Sequence, residues 1–376
     1  MDKIYFDNSA TTKINDDALR TYNDISMNYY ENPSSLHKGG LESEKIIDKC
    51  RKIIADSLCA LPEEIIFTSG GTESDNIAIL GVAFAMEKTG KHLITSKIEH
   101  HAVLNTFKYL EKKGFEVTYI DVDSSGVIDF EQLKNSVRDD TTLISIMLMN
   151  NEVGTIQPVD KIKSIAKNAY VHTDAVQAYG KVDFKHINAD LISVSSHKVH
   201  GPKGVGALYI KKGTKIVSTV FGGGQESNLR SGTHNTPGIA AFAKAVEIMS
   251  KNQMADIEHF KTLNVYFKKR ITEEIPEIHF NGLSESNIVN VSFTGIRGEV
   301  LMHYLADKNI YVSTGSACNS KSTKISYVLE SMNIPYNIAE GAVRFSFSND
   351  NTIEEIDRAI PFIKSGTEFL LRFKRR

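Results

Sequence analysis

Short apolar runs separated by helical stretches constrain the fold of this chain more than any other feature. EIIFTS (64–69), HLITS (92–96), EVTYIDV (116–122), TLISIMLM (142–149) and DLISVSS (190–196) have strand length, and several are apolar on both faces. Such strands must be covered on both sides, and strands separated by helices are joined by crossovers. The pattern therefore predicts a mostly parallel sheet covered by helices, an α/β fold. Between the strands, Ile46, Ile47, Cys50, Ile53, Ile54 and Leu58 recur at helical spacing. That stripe assigns Cys50 to the core as a packed structural thiol, and Cys59, at the end of the same helix, is read the same way.

The pattern changes after Gly222-Gly223-Gly224. Helices are expected over about 236–251 and 254–274, followed by a smaller α+β segment: strand 288–294, helix 298–307, strands 310–312 and 342–347, and a last helix. The expectation is a large domain over 15–253 and a small domain built from 1–14 and 254–376, with the second of the two helices as the bridge. A chain of 376 residues has the length for two or three structural units.

With a formal net charge of −2, no global field favours nucleic acid or a membrane surface. The basic tail Arg372, Lys374, Arg375 and Arg376 reads as a solvated helix end, its cations at the negative pole of the helix dipole. Cys50, Cys59 and Cys318 are scattered, with no spacing for a disulfide framework or a zinc site, which fits a reducing compartment. The N-terminal MDKIYFDNSATT lacks the apolar core of a signal peptide, and no apolar run approaches the ~20 residues of a membrane span. A cytoplasmic protein is expected.

Three motifs carry chemistry. Ser69-Gly70-Gly71-Thr72-Glu73-Ser74 follows a strand and opens a helix, where backbone N–H groups and the helix dipole suit an anion; an ordinary strand-to-helix turn would look the same. Asp174, in HTDAVQ, leaves the carboxyl end of a strand, the place where α/β sheets bind ligands. It could hold a pyridinium nitrogen protonated, or cap the turn that follows. Lys198, in SSHKVHGPKG, stands just past another strand and suits a Schiff base, since desolvation makes an amine nucleophilic. Lys203 competes with it from the turn GPKG. A phosphate turn, an Asp and a Lys at successive strand ends outline a pyridoxal 5'-phosphate (PLP) site.

Here the chain resembles the cysteine desulfurases of the NifS/IscS type, class-V aminotransferase relatives with PLP fold type I. The matching stretches are FDNSATT (6–12), ENPSSLHKGG (31–40), FTSGGTESDN (67–76), IEHHAVLN (98–105), NNEVGTIQP (150–158), HTDAVQ (172–177), SSHKVHGPKGVGALYI (195–210), GGGQESNLRSGTHNTP (222–237) and STGSACNSKS (313–322). The resemblance implies that Lys198 carries the cofactor and moves protons, and that Asp174 pairs with its ring nitrogen. It further implies that Gln177 bonds the ring's phenolic oxygen and that His100 stacks on the ring and acts as a catalytic residue in acid–base steps. Gly71, Thr72, Ser195 and His197 match phosphate-binding positions. Thr233 matches a residue that reaches the cofactor of a neighbouring subunit, which implies a homodimer. Asn151 and Arg344 match the pair that contacts cofactor and substrate and fixes the substrate carboxylate, for which a guanidinium has the right two-pronged geometry. His101, beside His100, is expected to be a solvated helix residue.

Cys318 selects the reaction. Its neighbours are Ser313, Thr314, Gly315, Ser316 and Ala317 before it and Asn319, Ser320, Lys321, Ser322 and Thr323 after it. None is large and apolar, so the segment reads as an exposed loop rather than a place to bury a thiol. A free thiol with a pKa of roughly 8.5 offers some thiolate at neutral pH. The resemblance implies conversion of L-cysteine to L-alanine, with the sulfur held as a persulfide on Cys318 for a protein acceptor, an iron–sulfur scaffold or a thiolation carrier. A selenocysteine lyase, an aminotransferase and a non-catalytic assembly subunit are the rival readings; the first two share the cofactor, and an aminotransferase has no need of Cys318. Two positions depart from the family pattern, Asn333 where a glycine is usual and AVRFSFSND, which lacks a glycine after Arg344.

Overall fold

The computed structural model describes residues 2–184, 187–283, 285–315 and 325–374. Its strands are β1 (Ile4–Tyr5), β2 (Ile65–Thr68), β3 (His92–Ser96), β4 (Glu116–Ile120), β5 (Thr141–Ser145), β6 (Tyr170–Asp174), β7 (Leu191–Ser195), β8 (Gly206–Ile210), β9 (Ile278–Asn281), β10 (Ile288–Phe293), β11 (Ile310–Tyr311) and β12 (Ala342–Ser346). A seven-stranded sheet has the order β2-β8-β7-β6-β5-β3-β4. Within it β8 is antiparallel to both its neighbours, and the remaining pairs are parallel. This is the mostly parallel sheet the sequence pattern predicts.

Alternate residues of each strand feed opposite cores, which is why the strands read as apolar on both faces. Ile66, Leu93, Leu143, Leu191 and Leu208 pack under helices Gly71–Met86 and His101–Lys112. Ile65, Phe67, Ile94, Ile144 and Ile192 face the other way. There they meet Ile47, Cys50 and Ile54 of helix Lys38–Ser57 and Ile239, Phe242 and Val246 of a later helix. Removing a large side chain from such a core costs about 2–5 kcal/mol. A third core joins Ile4 and Phe6 to Leu263, Phe267, Val291, Phe345 and Ile360 around the three-stranded antiparallel sheet β12-β10-β9. The N-terminal strand joins this part of the molecule, as β1 pairs with β11.

Two expectations are corrected. The two helices expected around residue 252 are one, Thr236–Glu274, 39 residues long. Ser250, Lys251, Asn252 and Gln253 interrupt the apolar pattern, yet no glycine or proline occurs between Ile239 and Glu274 to break the backbone. Cys59 is exposed rather than packed. Leu58 takes the last buried position of its helix as the C-cap, and Cys59 follows at φ +55°, turning its thiol outward. Cys50 is buried as expected, and burial raises the pKa of its thiol to about 12. Asn333 sits at φ +57°, the left-handed conformation that asparagine tolerates in place of glycine.

Candidate active site

All strands of the large sheet except the antiparallel β8 point their carboxyl ends at a cavity of about 320 Å³. It is lined by Ser9, Ala10, Gly71, Thr72, Asp75, His100, Met147, Met149, Asn151, Asp174, Val176, Gln177, Ser195, His197, Lys198, Gly315 and Arg344. Ten of the residues singled out in the sequence thus share one space: Gly71, Thr72, His100, Asn151, Asp174, Gln177, Ser195, His197, Lys198 and Arg344. Thr233 is exposed and does not line it, and Cys318 lies outside the described residues. Of the two competing lysines, Lys198 reaches the cavity, whereas Lys203 is exposed in its turn.

Each wall residue follows from local structure. Helix Gly71–Met86 begins at Gly70, which has no side chain to cap it. Gly71 packs against Val176, leaving no room for a Cβ, so the helix end approaches the Asp174 turn closely. Beside it Ser195 Oγ is buried without a hydrogen-bond partner among the described residues. An uncapped helix N-terminus with an orphan hydroxyl is the chemistry of a phosphate site.

Asp174, at the end of β6, is buried, and Oδ1 accepts the Val176 N–H at 2.9 Å. The turn-capping role foreseen for it therefore exists and leaves the carboxylate at the cavity. Burial raises its pKa, while His100, the Val176 N–H and Lys198 pull it down. Gln177 Nε2 donates to the Ser9 carbonyl at 2.8 Å. Lys198 Nζ donates to the carbonyls of Ser9 and, at 3.0 Å, Ala10. His100 caps helix His101–Lys112: Nδ1 accepts the Ala102 N–H at 3.2 Å, which leaves the proton on Nε2. Burial keeps His100 neutral by lowering its pKa, and holds His197 at about 4 with the help of Lys198. His101 differs from expectation: its ring packs on Tyr327 at 4.8 Å between centroids.

Arg344 enters from β12 and is 5% exposed, so its charge must be answered inside. Nη1 donates to the Asn151 carbonyl at 2.8 Å and Nη2 to Asp7 Oδ1 at 2.9 Å. Arg344 Nε and Asn151 Oδ1 are both buried without hydrogen-bond partners among the described residues. Unsatisfied donor and acceptor atoms in a cavity are where a bound ligand's polar groups belong.

Some contributors were not singled out in the sequence. Asp7 and the carbonyls of Ser9 and Ala10 come from FDNSATT, a matched stretch given no role. Asp75 is buried in the same cavity, its pKa raised well above the ordinary range by burial and then by Asp174. Lys181, behind Gln177, donates to its Oε1 at 3.4 Å, and burial, then Lys198 and Arg344, lower its pKa to about 7. A lysine one turn past Gln177 in DAVQAYGK was the visible signal.

An amine, a buried carboxylate and an anion cradle at the carboxyl ends of a mostly parallel sheet define a PLP enzyme of fold type I. The family model for class-V aminotransferases matches residues 4–359. The chain is 48% identical to the cysteine desulfurase IscS of Methanosarcina thermophila over 370 residues, 96% of this chain and 91% of that protein. With the putative cysteine desulfurase IscS 1 of Bacillus subtilis it shares 41%, over 96% of this chain and 97% of that one. A solved NifS-like protein superposes with a TM-score of 0.92 at 41% identity, covering 98% of this chain and 100% of that chain. SspA in complex with cysteine gives 0.80 at 36%, covering 93% and 100%. The chain belongs to the class-V aminotransferase family, among its cysteine desulfurases.

Proposed function

We infer that this chain is a PLP-dependent L-cysteine desulfurase that forms L-alanine and holds the sulfur as a persulfide on Cys318. The observation that carries the reading is the shared cavity. Lys198, Asp174 and Gln177 stand in it with Asn151 and Arg344, and Gly315, just before the segment bearing Cys318, lines the same space. When bound, the cofactor supplies an electron sink for the bond broken at the substrate's Cα. Asp174 would hold the proton on the ring nitrogen, Gln177 would bond the ring oxygen, and His100 would stack on the ring. Gly71, Thr72, Ser195 and His197 would bind the phosphate. Arg344 and Asn151 orient the substrate carboxylate, and Lys198 takes the α-proton and returns a proton to the same carbon as alanine forms.

The Cys318 thiolate then attacks the substrate's sulfur. A sulfur–sulfur bond forms, the carbon–sulfur bond breaks with its electron pair left on carbon, and a proton completes the methyl group of alanine. The persulfide passes to a protein acceptor, an iron–sulfur scaffold or a thiolation carrier. Among the described residues no helix is long and apolar enough to cross a membrane, and we place the protein in the cytoplasm. It works as a homodimer, in which exposed Thr233 completes the neighbouring subunit's phosphate site. Its units are 15–253 and 1–14 with 254–376.

The test is intact mass after incubation with cysteine and no acceptor. One sulfur atom is gained at Cys318 and lost on reduction; an adduct confined to another residue would overturn the reading.

A further inference from the structure

Glu152 is buried in a place where the reaction asks for no acid. Its Oε2 accepts the Ser326 hydroxyl. Ser326 Oγ in turn accepts the N–H groups of Val328 at 3.1 Å and Leu329 at 3.4 Å, capping helix Tyr327–Ser331. The same oxygen lies against Gly315, so closely that any side chain there would overlap it. Its backbone is held independently: the N–H donates to Asn150 Oδ1 at 2.8 Å, and the carbonyl accepts from Asn290 Nδ2 at 3.1 Å. Burial raises the carboxyl pKa to about 7, against the pull of the Ser326 hydrogen bond and of Arg344. A buried acid costs stability unless its partners compensate, and here its hydrogen-bond partner Ser326 and its close contact Gly315 stand at the two flanks of the segment that contains Cys318.

We propose that Glu152 is a positioning residue for sulfur transfer. Its carboxyl group fixes Gly315 by contact and Ser326 by hydrogen bond against the turn that presents Asn151 to the substrate. The sulfur atom of bound cysteine and the two flanks of the Cys318 segment are thereby referred to one short stretch of backbone. This inference rests on the reading of Cys318 as the sulfur acceptor.

The test compares, in the holoenzyme, Glu152→Gln, which keeps an acceptor oxygen, with Glu152→Met, which keeps only the volume. The readouts are the rate of adduct formation at Cys318 by quenched intact mass and, separately, the cysteine concentration that half-saturates the cofactor's absorbance change. Glu152→Met should slow adduct formation on the order of ten- to a hundredfold, as loss of reactant positioning does. Half-saturation should stay within about twofold, the mark of an interaction outside ground-state binding. Glu152→Gln should restore the rate. Ser326→Ala should share the defect and add little in the Glu152→Met background. Equal rates for the Met and Gln variants would overturn the proposal, as would a parallel loss of cysteine binding. Should Glu152→Met fail to fold, Ser326→Ala decides alone, and a normal rate there overturns it. A wild-type enzyme without the adduct would instead remove the Cys318 reading, and this inference with it.

Discussion

On one side of the cavity, Gly71, His100, Asp174, Ser195 and Lys198 each stand within a few residues of the carboxyl end of a strand in one sheet. On the other, Arg344, Asp7 and Gly315 come from segments far apart in sequence, joined by hydrogen bonds between β12, the N-terminal strand region and Ser313. The sheet wall is a rigid array whose geometry follows from strand pairing, and it suits a cofactor that must stay put. The opposite wall is assembled from long-range contacts, and it suits a substrate and a sulfur atom that must come and go. Lesions in the two walls should therefore separate cofactor chemistry from substrate and sulfur handling.

The largest effect belongs to the sheet wall. Lys198→Ala should reduce alanine formation to background and remove the reducible attachment of the cofactor, while Lys203→Ala leaves both intact. A reducible adduct mapping to Lys203 would reverse the assignment. Cys318→Ala should bind the cofactor and change its absorbance with cysteine, yet release essentially no alanine. Because Cys59 is exposed, this comparison is made in a Cys59→Ser background, and full alanine production there would break the division at its centre. Arg344→Ala should keep the cofactor but lose about 2–5 kcal/mol in kcat/KM for cysteine, the cost of truncating a buried charged partner; unchanged kinetics would take Arg344 out of the clamp.

The smallest effect is on stability at acid pH. Glu226 receives both terminal nitrogens of Arg51 at 2.7 and 2.8 Å, His234 Nε2 at 2.6 Å and the Phe67 N–H at 2.8 Å. Burial opposes ionisation, yet these bonds bring its pKa down to about 2 from 4.5. A folded-state pKa below the unfolded one gives stability that is fully present above pH 4.5 and is lost as pH falls toward 2. Denaturation midpoints followed across that window should fall for wild type and less steeply for Glu226→Gln. Parallel slopes for the two proteins would take Glu226 out of the acid response.

The sheet wall is legible in the sequence because each of its residues sits in a short motif with its own local reason: a glycine at a helix start, an acid or an amine just past a strand. The roles of Asp7 and Glu152 are not, because nothing near them in sequence distinguishes a solvated charge from a buried one. Asp7 acquires its partner at Arg344, and Glu152 acquires Ser326, only on folding. Cys59 departs from expectation for the opposite reason: helical spacing places it near a core stripe, and its own left-handed backbone at the helix end turns it away. The continuous helix across residue 252 escapes the pattern because polar side chains interrupt hydrophobicity without breaking the backbone.

At 1.5 Å per residue, the 39-residue helix Thr236–Glu274 is roughly 58 Å long. Its first half is cemented into the sheet's core through Ile239, Phe242 and Val246, and its second half into the other core through Leu263, Phe267 and Ile271. Met249, Asp256 and Phe260, from its middle, line a cavity of about 70 Å³ against Lys198. Lacking a glycine or proline over 239–274, this rod has no joint. The rod therefore resists displacement of Arg344 relative to Lys198 along its length, and the guanidinium's bonds to Asn151 and Asp7 brace the same gap from the side.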